Sequence, residues 1–206
     1  DLHLSIRRQR QMCIRDRCHP AVIKGNASEI RAIAGTGFHS QGIDVSPKDA
    51  VEKGDESAQL KLALLMKGIA DQTGAVVAAS GAVDVIVAPG EDTAYFLENG
   101  VPSMAQITGT GCMLTCIMGA FMAVTSPLNA AIAGAAALGI SGETADCSLG
   151  LGTYHMKLLD ALSLLSDETL ERRMKLHTKT LRVYTDGSTS CLLYTSPSPR
   201  DKRQSR

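Results

Sequence analysis

The sequence predicts an α/β fold, and three observations carry that expectation. Hydrophobic residues fill 44% of the 206 positions but aromatic ones only 3%, so the apolar content is mostly Ala, Val, Ile, Leu and Met, a composition suited to helices packed on a sheet. Short β-rich runs alternate with stretches whose apolar residues recur at helical spacing. The length fits one domain with a real core, and 21 Lys plus Arg balance 21 Asp plus Glu, a neutrality that gives no reason to expect nucleic acid or an acidic membrane as a partner.

Residues 1–17, "DLHLSIRRQRQMCIRDR", and 191–206, "CLLYTSPSPRDKRQSR", are basic and lack any apolar period. Cys191 to Ser196 can be back-translated as TGT CTC TTA TAC ACA TCT, whose reverse complement encodes Met12 to Asp16. A match of that kind between opposite ends points to library-adapter DNA, so both ends are set aside from the fold reading. The informative chain then runs over 18–190. It carries no secretory-signal pattern and no uninterrupted apolar span, and the expected compartment is the cytoplasm. The six cysteines form no CxxC pair, so neither a disulfide framework nor a zinc site is expected.

Along this chain, "AVIKGN" (21–26) reads as a strand. "ASEIRAIAG" follows as a helix, with Ile30, Ile33 and Ala34 at helical spacing and Gly35 as its stop. Residues 36–55, rich in Gly, Pro and Asp, read as a loop, and 55–72 as an amphipathic helix on Leu60, Leu64 and Ile69. "AVVAAS" and "VDVIVAP" are strands around a turn at Gly81-Ala82, and "TAYFLENGVP" predicts a strand and an Asn-Gly hairpin at the sheet edge. "TGTG" then feeds a helix over 112–124. Pro127 opens another to about 141, whose many Ala and Gly residues allow close helix contact. "LGTYHMKLLDALSLL" and "SDETLERRMKL" complete the helical half, the second with Ser166 as its N-cap.

The chemistry concentrates in "QITGTGCMLTCIMGAF" (106–121). Successive glycines let backbone N–H groups turn toward one point, and where such a loop opens a helix the unpaired amides and the dipole favour an anion. Phosphoryl transfer needs such a site, because positioning and charge stabilisation supply most of its catalysis. The stretch is neither a Walker A loop nor a dinucleotide fingerprint. Cys112 falls in the helix's first turn, where a thiolate is favoured. Cys116, one turn on, reads as core. His39, His155 and His177 show no metal-ligand spacing.

"VIKGNASEI", "VVAASGAVDVI", "NGVPSMAQITGTGCMLTCIMGAF" and the Ala/Gly-rich helix after Pro127 together resemble, in that order, the hydroxyethylthiazole kinase family, over about 21–176. The resemblance implies a ribokinase-like three-layer sandwich, with a central, largely parallel sheet flanked by helices and incomplete at its amino terminus. It also implies a homotrimer when complete. The implied reaction transfers the γ-phosphate of ATP, with Mg²⁺, to the alcohol of 4-methyl-5-(2-hydroxyethyl)thiazole in thiamine salvage. By the same resemblance Lys24, where the family more often has Arg, contacts ATP phosphate; Asn26 lies in the same loop, Glu29 is associated with Mg²⁺, and Ser80 stands for a Thr near ATP. Gly109, Thr110, Gly111 and Cys112 match the anion hole, Gly109 also lies beside the thiazole, and Cys112 stands where related kinases place an Asp base. Without the resemblance, Lys24 and Glu29 read as solvated charges, Ser80 as a turn residue and Asn26 as a helix cap.

Domain organisation is expected as 18–177 for the carboxy-terminal portion of the kinase domain and 178–190 for a linker or the start of a second domain. In that last stretch "LRVYTDG" resembles the opening strand of thiamine phosphate synthase. The family's amino-terminal strands are missing, which predicts exposed edges and poor solubility. Two other readings stand beside the thiazole kinase: a related kinase for hydroxymethylpyrimidine or pyridoxal, and a non-catalytic nucleotide-binding fragment.

Overall fold

A computed structural model describes residues 19–35, 55–181, 184–186 and 189–191. The loop expected at 36–55 lies outside these residues except for Asp55, as do both adapter-like ends except for Cys191. In chain order the elements are β1 (Val22–Asn26), α1 (Ala27–Ala34), α2 (Glu56–Thr73), β2 (Val76–Ser80), β3 (Asp84–Val87) and β4 (Thr93–Leu97). A 3₁₀ turn (Pro102–Gln106) leads to α3 (Thr110–Phe121), α4 (Pro127–Thr144), α5 (Leu151–Ser163), α6 (Asp167–Arg173) and β5 (Leu176–Thr180). The short strands β6 (Tyr184–Asp186) and β7 (Thr189–Cys191) form a separate antiparallel pair.

Local chemistry sets the helix starts. Asn26 and Glu29 form a reciprocal capping box at α1: Glu29 N–H donates to Asn26 Oδ1 at 2.8 Å and Asn26 N–H to Glu29 Oε2 at 2.7 Å. Asp55 caps α2, Ser126 caps α4 with Pro127 in its first turn, and Ser166 caps α6 through Thr169 N–H. Helix α3 begins differently: its N-cap is Gly109 at φ +98°, with no side-chain cap.

The main sheet has the order β1-β2-β3-β4-β5. The expected layering is present, but the strand directions in this half are mixed: only β1 and β2 run parallel, and the other three pairings are antiparallel. Connection length explains the pattern. The helical crossover through α1 and α2 returns the chain parallel to β1, whereas the short links 81–83 and 88–92 can only make hairpins. The expected Asn99-Gly100 hairpin is absent. β4 lies inside the sheet between β3 and β5, and Asn99 leaves it for the 3₁₀ turn. β5 continues to Thr180 in this sheet, past the boundary expected at 177/178.

Helices cover both faces. On one, Ile30 of α1 and Leu62, Met66 and Ile69 of α2 pack on Val77, Val85, Val87 and Phe96. On the other, Leu114 and Met118 of α3, Ala131 and Ala135 of α4 and Leu158 of α5 pack on Val76, Ala78, Ile86 and Leu97. Contact along α4 is close: a Cβ on Gly139 would stand 2.7 Å from Asn99 Cβ. Cys116, expected in this core, is exposed, since α3 buries only Leu114 and Met118. No helix among the described residues is long and apolar enough to cross a membrane.

Candidate active site

The pleat sorts the chemistry. Register pairs Lys24 with Ala78 and Asn26 with Ser80, while Ala78 faces Ile86 across β2 and β3. Side chains two apart share a face, so Lys24, Asn26, Ser80 and Asp84 all lie on the face covered by α3 and α4. Asn26, Ser80 and Asp84 there border, with Thr110 and Gly111, the polar end of a cavity of about 710 Å³, while Lys24 is not on its wall. Val101, Pro102, Leu114 and Leu138 line the rest.

Thr110 and Gly111 of the TGTG stretch line this cavity, and α3 starts at Thr110 rather than at Cys112. The left-handed backbone at Gly109 is one that a side chain would strain. Met113 N–H donates to Gly109 O at 2.8 Å, closing the first helical turn. The preceding amides of Thr110, Gly111 and Cys112 therefore stand in the uncapped positions of the helix start, where the dipole's positive end favours an anion. The Thr110 hydroxyl turns back to donate to Met104 O at 3.3 Å. Lys24 Nζ donates to Gly111 O at 3.1 Å, which ties β1 to the start of α3 and adds a cation beside the free amides. Lys24 and Gly111 are so close that a Cβ on Gly111 would stand 3.3 Å from that nitrogen.

Other expected residues fall at different distances from this centre. Ser80 is half-buried on the cavity wall, its Oγ donating to Gly25 O at 3.4 Å. Asn26 both borders the cavity and caps α1, so the cap reading is correct as local structure. Glu29 is exposed; Oε2 closes the capping box and Oε1 takes no part in it. Among the described residues no group of three or more His, Cys, Asp or Glu could hold a metal. One carboxylate oxygen beside substrate phosphates is an ordinary setting for Mg²⁺, which keeps several waters; Glu29 has one such oxygen outside the capping box but does not line the cavity. Cys112 is exposed, next to Gly111 but not on the cavity wall.

Two features were not anticipated. Asp84, the first residue of β3, is half-buried on the cavity wall and accepts from Gly81 N–H at 3.0 Å. Burial pushes its carboxyl up to about 6 against the opposing pull of Gly81 N–H and Lys24. The signal was available in the pattern: a carboxylate at 84, with Ile86 and Ala88 after it, sits on a face the alternation marks as core. The second feature is the Asn99-Gly100 bend on the opposite wall. Asn99 Nδ2 donates to Arg173 O at 3.0 Å and its Oδ1 accepts from Lys175 N–H at 2.8 Å. Glu143 accepts from Gly100 N–H and from Lys175 Nζ, both at 2.9 Å. Burial alone would raise the Glu143 carboxyl, yet the bonds from Gly100, Lys175 and Asn99 hold it below the usual range.

The profile of the hydroxyethylthiazole kinase family matches residues 3–168, starting inside the segment expected to derive from adapter DNA. "Hydroxyethylthiazole kinase 2" of Methanosphaera stadtmanae is 40% identical over 168 residues, covering 76% of this chain and 57% of the relative. "Hydroxyethylthiazole kinase 1" of the same organism is 38% identical over 184 residues, covering 84% and 63%. The solved structure of a hydroxyethylthiazole kinase protein from Pyrococcus horikoshii OT3 superposes with a TM-score of 0.68 at 27% identity, covering 84% of this chain and 60% of that one. The chain thus spans about three fifths of the length of the relatives it matches.

Proposed function

The chain belongs to the hydroxyethylthiazole kinase family, and from that premise we propose that its cavity serves ATP-dependent phosphorylation of the alcohol of 4-methyl-5-(2-hydroxyethyl)thiazole. The observation that carries this reading is the uncapped start of α3, whose Thr110 and Gly111 line a cavity of about 710 Å³, with the Lys24 ammonium 3.1 Å from Gly111 O. The Thr110, Gly111 and Cys112 amides receive the transferring phosphoryl group, and Lys24 draws the adjoining phosphate oxygens as a point charge. Asn26 and Ser80 offer hydrogen bonds along the nucleotide, and Gly109 leaves room for the thiazole. Glu29 would hold Mg²⁺, which supplies charge neutralisation on the phosphates when bound.

In the reaction the alcohol oxygen attacks the γ-phosphorus, the bond to the β-phosphate oxygen breaks, and ADP leaves. Cys112, in the first turn of α3 beside Gly111, is the group assigned to accept the alcohol's proton. The family setting also supports a cytoplasmic homotrimer once the upstream portion is present.

The test follows ³¹P NMR of the chain with MgATP and the thiazole alcohol, alone and extended upstream to the length of its relatives. A thiazole phosphate ester, lost in Lys24→Ala, is expected from the extended protein. Transfer to hydroxymethylpyrimidine or pyridoxal but not to the thiazole would move the activity to a related vitamin kinase. Tight MgATP binding with no transfer to any alcohol would leave a nucleotide-binding module.

A further inference from the structure

Asp84 presents a contradiction. A half-buried carboxylate on a wall that continues into Leu114, Val101 and Leu138 is costly, and burial drives it toward its neutral form. Closing the 81–83 turn does not require the charge, because an asparagine oxygen could accept from Gly81 N–H equally well. What an asparagine could not do is attract a cation. Lys24 supplies one: the two side chains face the same small gap beneath α3, lined also by Ala78, Ile86 and Met118. Lys24 and Asp84 act on each other electrostatically across it. Lys24, which lines this gap, donates from Nζ to Gly111 O at 3.1 Å.

We propose that Asp84 is a positioning residue: its charge holds the Lys24 ammonium at the start of α3, while its bond from Gly81 sets the turn that carries Ser80. Lys24, assigned to the nucleotide phosphates, and Ser80, assigned to the nucleotide, stand on adjacent strands and are thereby fixed by one carboxylate on a third. A residue retained at a cost in stability, beside the groups that would bind substrate, is where function is expected to override local preference. The consequence for nucleotide binding rests on the kinase reading above; the placement of Lys24 does not.

The test separates charge from turn closure and placement from nucleotide binding. Asp84→Asn keeps an acceptor for Gly81 and removes the charge; Asp84→Ser is a second neutral variant that can also accept, should the first not fold. Without nucleotide, Lys24 acylation by an amine-reactive ester is timed by peptide mass spectrometry. An ammonium released from Asp84 reacts several-fold faster in the neutral variants, and an unchanged rate overturns the proposal. With MgATP, calorimetry on the parent chain, Asp84→Asn, Lys24→Gln and the double variant reads the coupling. Asp84→Asn weakens binding about tenfold, as loss of one charge-assisted contact would, but less than about twofold once Lys24 is Gln. An equal loss in both backgrounds shows that Asp84 does not act through Lys24 and overturns the proposal. Faster acylation in a chain that binds no MgATP upholds the placement of Lys24 and removes the nucleotide reading instead.

Discussion

The sheet's two faces are built from different side chains and do different work. Against α1 and α2 the packing is filled by large residues: Leu62, Met66, Ile69 and Phe96 are nearly or fully inaccessible, and no polar group of the candidate site lies among them. Against α3 and α4 the packing residues of α4 are mostly alanine and glycine, the helices approach closely, and the volume not filled by side chains remains as the cavity. One face stores stability and the other gives up some of it for room and polar groups. Substitutions on the two faces should therefore differ in kind as well as in size.

The largest effect is expected on the filled face. Phe96 is fully buried and stacks on His177 with ring centroids 5.3 Å apart. Phe96→Ala should lower unfolding free energy by about 3–5 kcal/mol in a denaturant titration, without selectively changing nucleotide affinity in whatever fraction stays folded. A loss under about 1 kcal/mol would mean this face is not the main store of stability.

Next comes close approach on the open face. Gly139→Ala would drive its Cβ into Asn99, and overpacking of this kind costs about 1–3 kcal/mol. Because Asn99 and Gly100 wall the cavity, this variant should also weaken ligand binding, which distinguishes it from Phe96→Ala. Equal ligand affinity in Gly139→Ala and the parent would show that the Asn99-Gly100 wall does not shape the site.

These two positions also show what the sequence could reveal. Helices and strands were legible because their apolar periods and caps are local: Asn26, Asp55, Ser126 and Ser166 each close a helix within three residues. The Asn99-Gly100 hairpin was misread because Asn99 is committed to Arg173 and Lys175, more than seventy positions away, and no local pattern announces that. Lys24 and the TGTG loop were recognised through family resemblance, but their joining through Gly111 O, 87 residues apart, is a tertiary fact. Asp84 was missed because a lone carboxylate at a strand start resembles a solvated charge until the face it shares with Ile86 is considered.

A smaller effect, with a pH signature, follows from Asp84. Its folded carboxyl is pushed up to about 6, above the ordinary aspartate value of about 3.9, so the folded state holds a proton that the unfolded chain releases. Stability from this group is greatest below about 4 and is lost as pH rises toward 6. Asp84→Asn is not subject to that loss. Relative to the parent, its melting temperature should rise between about pH 4 and 6 and stay higher above that window, in the direction opposite to its effect on MgATP. A gap of constant size across this window would mean that Asp84 is no harder to ionise in the folded chain than in the unfolded one.

The smallest effect is expected at Cys116. It lies one turn after Cys112 on α3, exposed, and belongs to neither apolar cluster. Cys116→Ala should leave unfolding free energy within about 0.5 kcal/mol of the parent and leave thiazole phosphorylation by the extended protein unchanged, whereas Cys112→Ala should reduce its turnover. The pair isolates position from residue type, since both variants delete the same thiol from the same helix. Should Cys116→Ala destabilise the extended protein while sparing the present chain, the upstream portion covers this side of α3. The open face would then owe part of its stability to sequence that the relatives have and this chain does not.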